Sequence, residues 1–229
     1  MNKLFLGLGI TLVVLLALVG VLLYIMFMYN PALLNGMVDA RYPLELVSEN
    51  LVNTQNEFTL SFWYYVEGWK YKYNEKKTLL NWGDGKLIVD FRPKDNNMII
   101  KMKDLDGNDR VCVVEDVKLQ KWNFVCLTLW NRSLDVILDD AYSQSCAQDN
   151  SPDYSNSSIM SILGNDGFNG KVSNLYFYNY ARKFEESVDL YNKGPFYKNL
   201  LLELASKLQG NIKVNVSVDV DVDVDGIFE

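Results

Sequence analysis

Residues Leu4 to Tyr29 form an unbroken apolar run of 26 residues without one charged side chain. As a helix rising ~1.5 Å per residue, the run reaches about 39 Å, enough to cross a ~30 Å hydrocarbon core with some tilt. A buried core helix would carry polar punctuation that this run lacks. A cleaved signal peptide would need a shorter apolar core of about 7–15 residues and a small-residue cleavage site. The exit, Tyr24-Ile25-Met26-Phe27-Met28-Tyr29-Asn30-Pro31, offers no such site. Tyr24 and Tyr29 suit an interfacial aromatic belt, and Asn30-Pro31 stops the helix. The run therefore predicts an uncleaved single-pass anchor over residues 1–30, with the lipid bilayer as partner. Lys3 and the amino terminus lie on one side, while Asp39 and Arg41 cancel on the other. That balance favours a cytosolic N-terminus and a C-terminal domain outside or lumenal.

About 200 residues follow the anchor, which suits one large all-β domain. Residues 31–43 read as a linker. From Glu57 to Tyr180 the hydrophobic period is two. Phe58-Thr59-Leu60-Ser61-Phe62-Trp63-Tyr64-Tyr65-Val66 alternates and is rich in aromatic and β-branched residues. Further strands are predicted at 78–82, 87–91, 98–102, 110–114, 122–130, 134–138, 159–163 and 170–178, separated by turn signals such as Gly83-Asp84-Gly85 and Asp95-Asn96-Asn97. Many short strands at regular turn spacing predict a mainly β protein, an antiparallel β-sandwich or jelly roll. Alternation makes Trp63, Trp82, Trp122 and Trp130 core candidates. A helix is expected over Lys183–Asn192, stopped by Gly194-Pro195. Residues 196–210 place Leu200, Leu201, Leu204 and Leu208 on one face and predict an amphipathic helix, to be packed on the sandwich, a membrane or a partner. Residues 211–229 form an acidic tail in which Val and Asp alternate.

The formal net charge is −7 and no basic patch exists, which argues against nucleic acid as a partner. The chain has no histidine, which removes Ser-His-Asp and Cys-His catalysis together with the commonest zinc ligand. Of the three cysteines, Cys126 lies in the apolar strand Phe124-Val125-Cys126-Leu127 and reads as a buried thiol, whereas Cys112 and Cys146 flank more polar strand ends.

Several motifs have the composition of sites. Trp69, Tyr71 and Tyr73, in Gly68-Trp69-Lys70-Tyr71-Lys72-Tyr73, put aromatic faces in a loop, for stacking on a sugar or partner or for packing on the sandwich edge. Asp104 and Asp106 belong to an acidic hairpin turn. Asp221, Asp223 and Asp225 precede Gly226 and resemble the opening of a calcium loop, but the chain ends before the twelfth-position glutamate such a loop needs. Asn165 and Asp166 are rim residues suited to a ligand or to calcium. Ca2+ is the one cofactor these groups suggest. Asn131, Asn156 and Asn215 open glycosylation triplets. The neighbouring acidic couples Glu115-Asp116 and Glu185-Glu186 read as surface charge.

Four stretches carry a family resemblance. Glu57–Val66 looks like the opening strand of a laminin-G-like, concanavalin A-type lectin domain. Val117–Val125 resembles that family's loop-to-strand segment around Trp122. Asn131–Asp140 resembles its following strand and hairpin, with Asp139-Asp140 where Asn-Gly is usual. Gly167–Ala181 is similar to its closing strand, with the helix up to Gly194 after it. The resemblance covers roughly residues 44–195 and implies a concanavalin A-like jelly roll. An anchor followed by one such domain also looks like proteins of large nucleocytoplasmic DNA viruses, some of them virion-associated. In that group cysteines matching Cys112 and Cys146 often occur together, which implies a disulfide between them. The expectation is a non-enzymatic, membrane-anchored binding or structural protein, virion- or surface-associated, contacting a neighbouring capsid or surface protein or a glycan. The alternative is a glucanase-like carbohydrate-active enzyme or its inactive descendant. The enzyme branch uses an E-x-D-x-E strand, which this sequence lacks.

Overall fold

The period-two pattern resolves into two stacked sheets. The computed structural model describes residues 2–28, 31–52, 54, 56–150, 152, 157–164 and 167–198. Helix α1 spans Asn2–Met28. The strands that follow are β1 (Ala32–Asp39), β2 (Leu44–Val47), β3 (Glu57–Val66), β4 (Lys77–Trp82), β5 (Leu87–Phe91), β6 (Met98–Lys103), β7 (Asp109–Val114), β8 (Trp122–Trp130), β9 (Ser133–Leu138), β10 (Ala141–Ala147), β11 (Ile159–Ile162) and β12 (Gly170–Tyr178), and helix α2 spans Phe184–Lys193. Sheet A has the order β1-β12-β3-β8-β9-β10 and sheet B the order β2-β11-β4-β5-β6-β7, with every recorded pairing antiparallel.

Alternation decides which side chains meet between the sheets. From β3 come Phe58, Leu60, Phe62, Tyr64 and Val66; from β8 come Val125, Leu127 and Leu129. Sheet B answers with Leu80, Trp82, Leu87, Val89, Phe91, Ile100 and Met102. Trp82 sits in the middle. Its ring meets Phe58 edge-on at 5.3 Å and Phe177 at 5.1 Å, and its Nε1–H donates to the Ser157 carbonyl at 2.9 Å. An indole buried with its one donor satisfied adds packing without a desolvation cost.

The opposite parity of β3 and β8 points away from that core. Trp63, Phe124, Cys126 and Ile137 form a second cluster on the outer face of sheet A, and α2 covers it with Leu190. The α2 N-terminus is closed by Glu186, whose carboxylate accepts the Lys183 amide at 3.0 Å. Gly194, at φ 76, ends the helix. The Cys126 thiol donates to Ser187 Oγ at 3.4 Å beneath this helix, and burial pushes its pKa up.

Several expectations are corrected here. Residues 32–39 are not linker but the edge strand β1. Asn35-Gly36 breaks its apolar pattern, and tertiary bonds order it instead: Gly36 N–H donates to Asn174 Oδ1 at 3.0 Å, and Ser173 Oγ donates to the Gly36 carbonyl at 2.9 Å. Strands β2 and β10 lie outside the strands expected from the sequence; β10 reads AYSQSCA, too polar to signal a strand by hydrophobicity. Trp130 is not in the core but 60% exposed, because it shares the outward parity of Cys126 and lies beyond the cover of α2. Residues 196–198 are not helical, and the remainder of the expected amphipathic helix lies outside the described residues, as does the tail. Among the described residues no helix is long and apolar enough to cross a membrane.

Cys112 on β7 and Cys146 on β10 form a disulfide, with Cα atoms 6.2 Å apart. These strands are the outermost members of the two sheets on the same side, so the bridge staples one open edge of the sandwich. It closes a loop with a sequence separation of 34. Removing it by Cys112→Ala with Cys146→Ala is expected to lower unfolding stability by roughly 3–4 kcal/mol on the chain-entropy model, read by urea denaturation. Under the same native conditions Cys126 is expected to resist a maleimide until the protein unfolds.

Candidate binding surfaces

The loop between β3 and β4 does not display its tryptophan. Trp69 packs against the core, with its ring 5.5 Å from that of Phe91. Tyr71 is half-buried and only Tyr73 is well exposed. The organiser is Lys77, a residue with no signal as a site in the sequence. Its side chain is fully buried, its Nζ donates to the carbonyls of Lys72 at 3.0 Å and Glu75 at 3.2 Å, and it lies 5.3 Å from the Trp69 ring centre. Lys72 and Asn74 adopt left-handed backbone, at φ 47 and 69, inside the loop that this ammonium grips. Burial holds the Lys77 ammonium below the ordinary lysine pKa.

The acidic turn is committed to its own backbone. Asp104 Oδ1 accepts the amides of Asp106 at 3.0 Å and Asn108 at 2.8 Å, and Asp106 Oδ2 accepts from the Asn150 side chain. Among the described residues no cluster of three or more His, Cys, Asp or Glu side chains is placed to hold a metal ion. Asn131 takes φ 53 in the exposed β8–β9 turn. Asn156, Asn165, Asp166, Asn215, Asp221, Asp223 and Asp225 lie outside the described residues. In the β9–β10 hairpin Asp139 supplies the left-handed residue, at φ 56. Its Oδ1 accepts the Phe124 amide at 3.1 Å while Lys118 and Lys121 approach Oδ2 at 3.4 and 3.6 Å.

The two sheets differ in what covers them. Sheet A carries α2 on its outer face, whereas on sheet B the outward residues Val47, Val111 and Ile159 are exposed. Register aligns one residue from each strand of sheet B in a row across this open face: Glu45, Ser161, Asn81, Ile88, Lys101 and Val111. Beside the row, Thr78, Asp90, Ile99 and Val113 form a second one. Asp90 is the unusual member. Its carboxylate is 3% exposed, it lies 2.9 Å from Lys76 Nζ, and neither oxygen accepts a well-directed hydrogen bond. A buried carboxylate so weakly partnered is costly. Its strand, Leu87-Ile88-Val89-Asp90-Phe91, carries the one hint in sequence, an acid inside an apolar run.

Lys77→Met is expected to cost about 1–3 kcal/mol, since two hydrogen bonds to carbonyls are lost. Amide hydrogen exchange over residues 70–76 should rise with it. The pH dependence has a definite sign. The folded protein binds the Lys77 proton less tightly than the unfolded chain, so stability rises with pH between the lowered folded value and the ordinary lysine value. Denaturant titrations at pH 8 and pH 10 should show that increment in the parent and not in Lys77→Met.

A family model described as the concanavalin A-like lectin/glucanases superfamily matches residues 43–186. No curated protein matches the sequence. Among solved structures, the binding domain of botulinum neurotoxin serotype G superposes with a TM-score of 0.55 at 13% identity, over 65% of this chain and 40% of that one. The binding domain of botulinum neurotoxin DC in complex with SialylT gives 0.55 at 11% identity, over 66% and 39%. The same domain in complex with rat synaptotagmin II gives 0.54 at 12% identity, over 66% and 40%. This chain thus spans about two fifths of those proteins, and at such identity the likeness is one of fold. With the family match over most of its sandwich, this chain belongs to the concanavalin A-like lectin/glucanases superfamily.

Proposed function

We propose that this is a non-enzymatic, membrane-anchored recognition protein whose sandwich presents the open outer face of sheet B to a neighbouring coat or surface protein. The observation that carries the reading is the composition of that face. Aliphatic Ile88, Ile99, Val111 and Val113 are interleaved with Lys101, Glu45 and Asn81. Aliphatic side chains bordered by charge suit a protein contact, in which a desolvated centre supplies affinity and a polar rim sets register. Val111, 46% exposed, is the natural centre.

The chemistry argues for binding rather than turnover. Hydrolysis of a glycosidic bond takes two carboxyl groups about 5–10 Å apart. On this face Asp90 is engaged with Lys76, and Glu45 stands three strands away, about 14 Å at ~4.8 Å per strand. The chain also has no histidine to serve as a base.

The anchor reading rests on the charge-free run Leu4–Tyr29 and on α1, whose described side chains are all exposed. Leaving them in water forfeits about 1.5–3 kcal/mol for each large aliphatic side chain. A bilayer removes that cost. The Cys112–Cys146 bridge supports an oxidising location for the sandwich, which agrees with the charge balance around the anchor.

Val111→Asp combined with Lys101→Glu in the full-length protein tests the reading. Co-purification of the membrane partner is expected to fall at least tenfold with melting temperature little changed. Undiminished co-purification would contradict the sheet B contact. Release of the parent protein by alkaline carbonate would contradict the anchor.

A further inference from the structure

Very little chain joins helix α1 to the sandwich. α1 ends at Met28 and β1 starts at Ala32. The start of β1 is held on sheet A: the Pro31 carbonyl accepts the Phe177 amide at 2.7 Å, and Ala32 stands opposite Tyr176. From Met28 to Ala32 the chain can reach at most ~14 Å when fully extended. The neighbouring strands overhang that point. Register carries the level of Ala32 across sheet A through Tyr176 and Ser61 to Cys126. Strand β8 then continues from Cys126 to Trp130, toward the end from which β1 enters. At ~3.3 Å per residue that overhang is about 13 Å, and the Asn131-Arg132 turn lies beyond it. The overhang is as long as the connection.

The side chains at that end are unusual for a solvated rim. Trp130 is 60% exposed, and of the five tryptophans it alone stands out in solvent; Trp63 and Trp82 are buried, and Trp69 and Trp122 pack against the two clusters. Tyr180 and Phe184 are exposed at the same end, on the connection from β12 to α2. That connection is tied to β3: Thr59 Oγ1 donates to the Tyr180 carbonyl at 3.1 Å and accepts the Arg182 amide at 2.8 Å. Sheet B adds Leu105, exposed in the β6–β7 turn. It reaches the same end, since Met102 is level with Leu87 and Trp82, and Trp82 packs on Phe58. Charges of both signs are interspersed there: Arg132 and Lys183 with Glu57, Glu185 and Asp149.

We infer that this end of the sandwich sits on the bilayer, with Trp130, Tyr180 and Phe184 among the headgroups of a zwitterionic phospholipid surface. The inference rests on the anchor reading of α1. An α1 that spans the bilayer ends at the edge of the hydrocarbon, and the headgroup layer extends ~5–7 Å further. A connection of at most ~14 Å cannot lift an overhang of about 13 Å, with its turn, clear of that layer. The side chains fit the place. Amphipathic aromatic rings favour the boundary between water and hydrocarbon, and the one uncovered indole of the protein is at this end. Mixed charge suits a zwitterionic headgroup and gives an anionic one no advantage, so the contact differs from polybasic lipid binding. A protein partner fits poorly here, because it would have to enter the gap between sandwich and membrane. The strands then stand upright on the bilayer, and the outer face of sheet B points sideways, open to a neighbour.

The test uses the full-length protein in phosphatidylcholine vesicles whose acyl chains carry bromine close to the headgroups. Bromine quenches an indole only at close range, and α1 contains no tryptophan, so quenching reports on the sandwich alone. Partial quenching is expected in the parent, and Trp130→Phe is expected to reduce it by roughly threefold or more at unchanged melting temperature. Tyr73→Trp in the Trp130→Phe background puts an indole in the β3–β4 loop, at the opposite end of the sandwich, and should not restore it. Added phosphatidylserine should leave the parent's quenching unchanged. Flotation with the vesicles reads the anchor separately. Protein that floats but is not quenched overturns the contact and leaves the anchor standing. The same holds for parental quenching in Trp130→Phe, or for its restoration by Tyr73→Trp. A rise with phosphatidylserine overturns the zwitterionic assignment. Protein that fails to float overturns both the anchor and the contact.

Discussion

Strands β3 and β8 pair residue for residue, from Glu57 opposite Trp130 to Tyr65 opposite Trp122, without a bulge. That unbroken ladder fixes the parity of both strands, and parity fixes the rest. Sliding the pair by one residue would drive Phe58, Leu60 and Phe62 into solvent and Thr59 and Ser61 into the core. The same parity sends Trp63, Phe124 and Cys126 to the back of sheet A, where an uncovered sheet would be apolar. Helix α2 is the consequence: it exists where it does because these side chains need a lid. The result is layered, with α2, sheet A, the shared core and sheet B in sequence, and, among the described residues, Val47, Val111 and Ile159 exposed on the outer face of sheet B.

The two ends of the sandwich are held differently. At the β7–β10 edge a covalent bridge joins strands that, among the described residues, have no further partner on their outer sides. Unpaired edges invite pairing with other chains, and a staple limits how far they can open. At the β3–β4 loop the tie is electrostatic: one buried ammonium gathers two carbonyls and an indole. This explains why a loop rich in aromatic residues is not a ready stacking platform. Its tryptophan shelters Lys77 and fills space beside Phe91, so of the loop's aromatic candidates only Tyr73 is well exposed.

Much of the fold was legible in the sequence. Trp122–Trp130 and Gly170–Tyr178 are rich in aromatic and aliphatic residues between turn signals, and their strands span the residues expected from the sequence. The edge strands were not legible, since Ala32–Asp39 and Ala141–Ala147 take their order from neighbours rather than from apolar periodicity. The tryptophans show the limit of alternation used without parity. Trp82 and Trp130 both lie in alternating strands, but Trp130 shares its face with Thr128 and Cys126 rather than with Leu127 and Leu129. Asking which face each residue shares with its own strand neighbours separates the two. Asp104 shows a turn carboxylate with a local role: its Oδ1 accepts the amides of Asp106 and Asn108, and its Oδ2 the Asn108 side chain, inside the turn that contains it. Lys77 and Asp90 carried almost no local signal, because their burial depends on side chains brought from other strands.

The proposed partner contact lies on the outer face of sheet B, on the side of the sandwich opposite α2. Site-specific photo-crosslinkers at Val111, at Lys101 and, as a control on the capped side, at Glu185 of α2 test it, with the full-length protein irradiated in the cells that produce it. One discrete crosslinked product is expected from Val111 and Lys101 and none from Glu185. Crosslinking to the same product from Glu185, with Val111 and Lys101 silent, would contradict it.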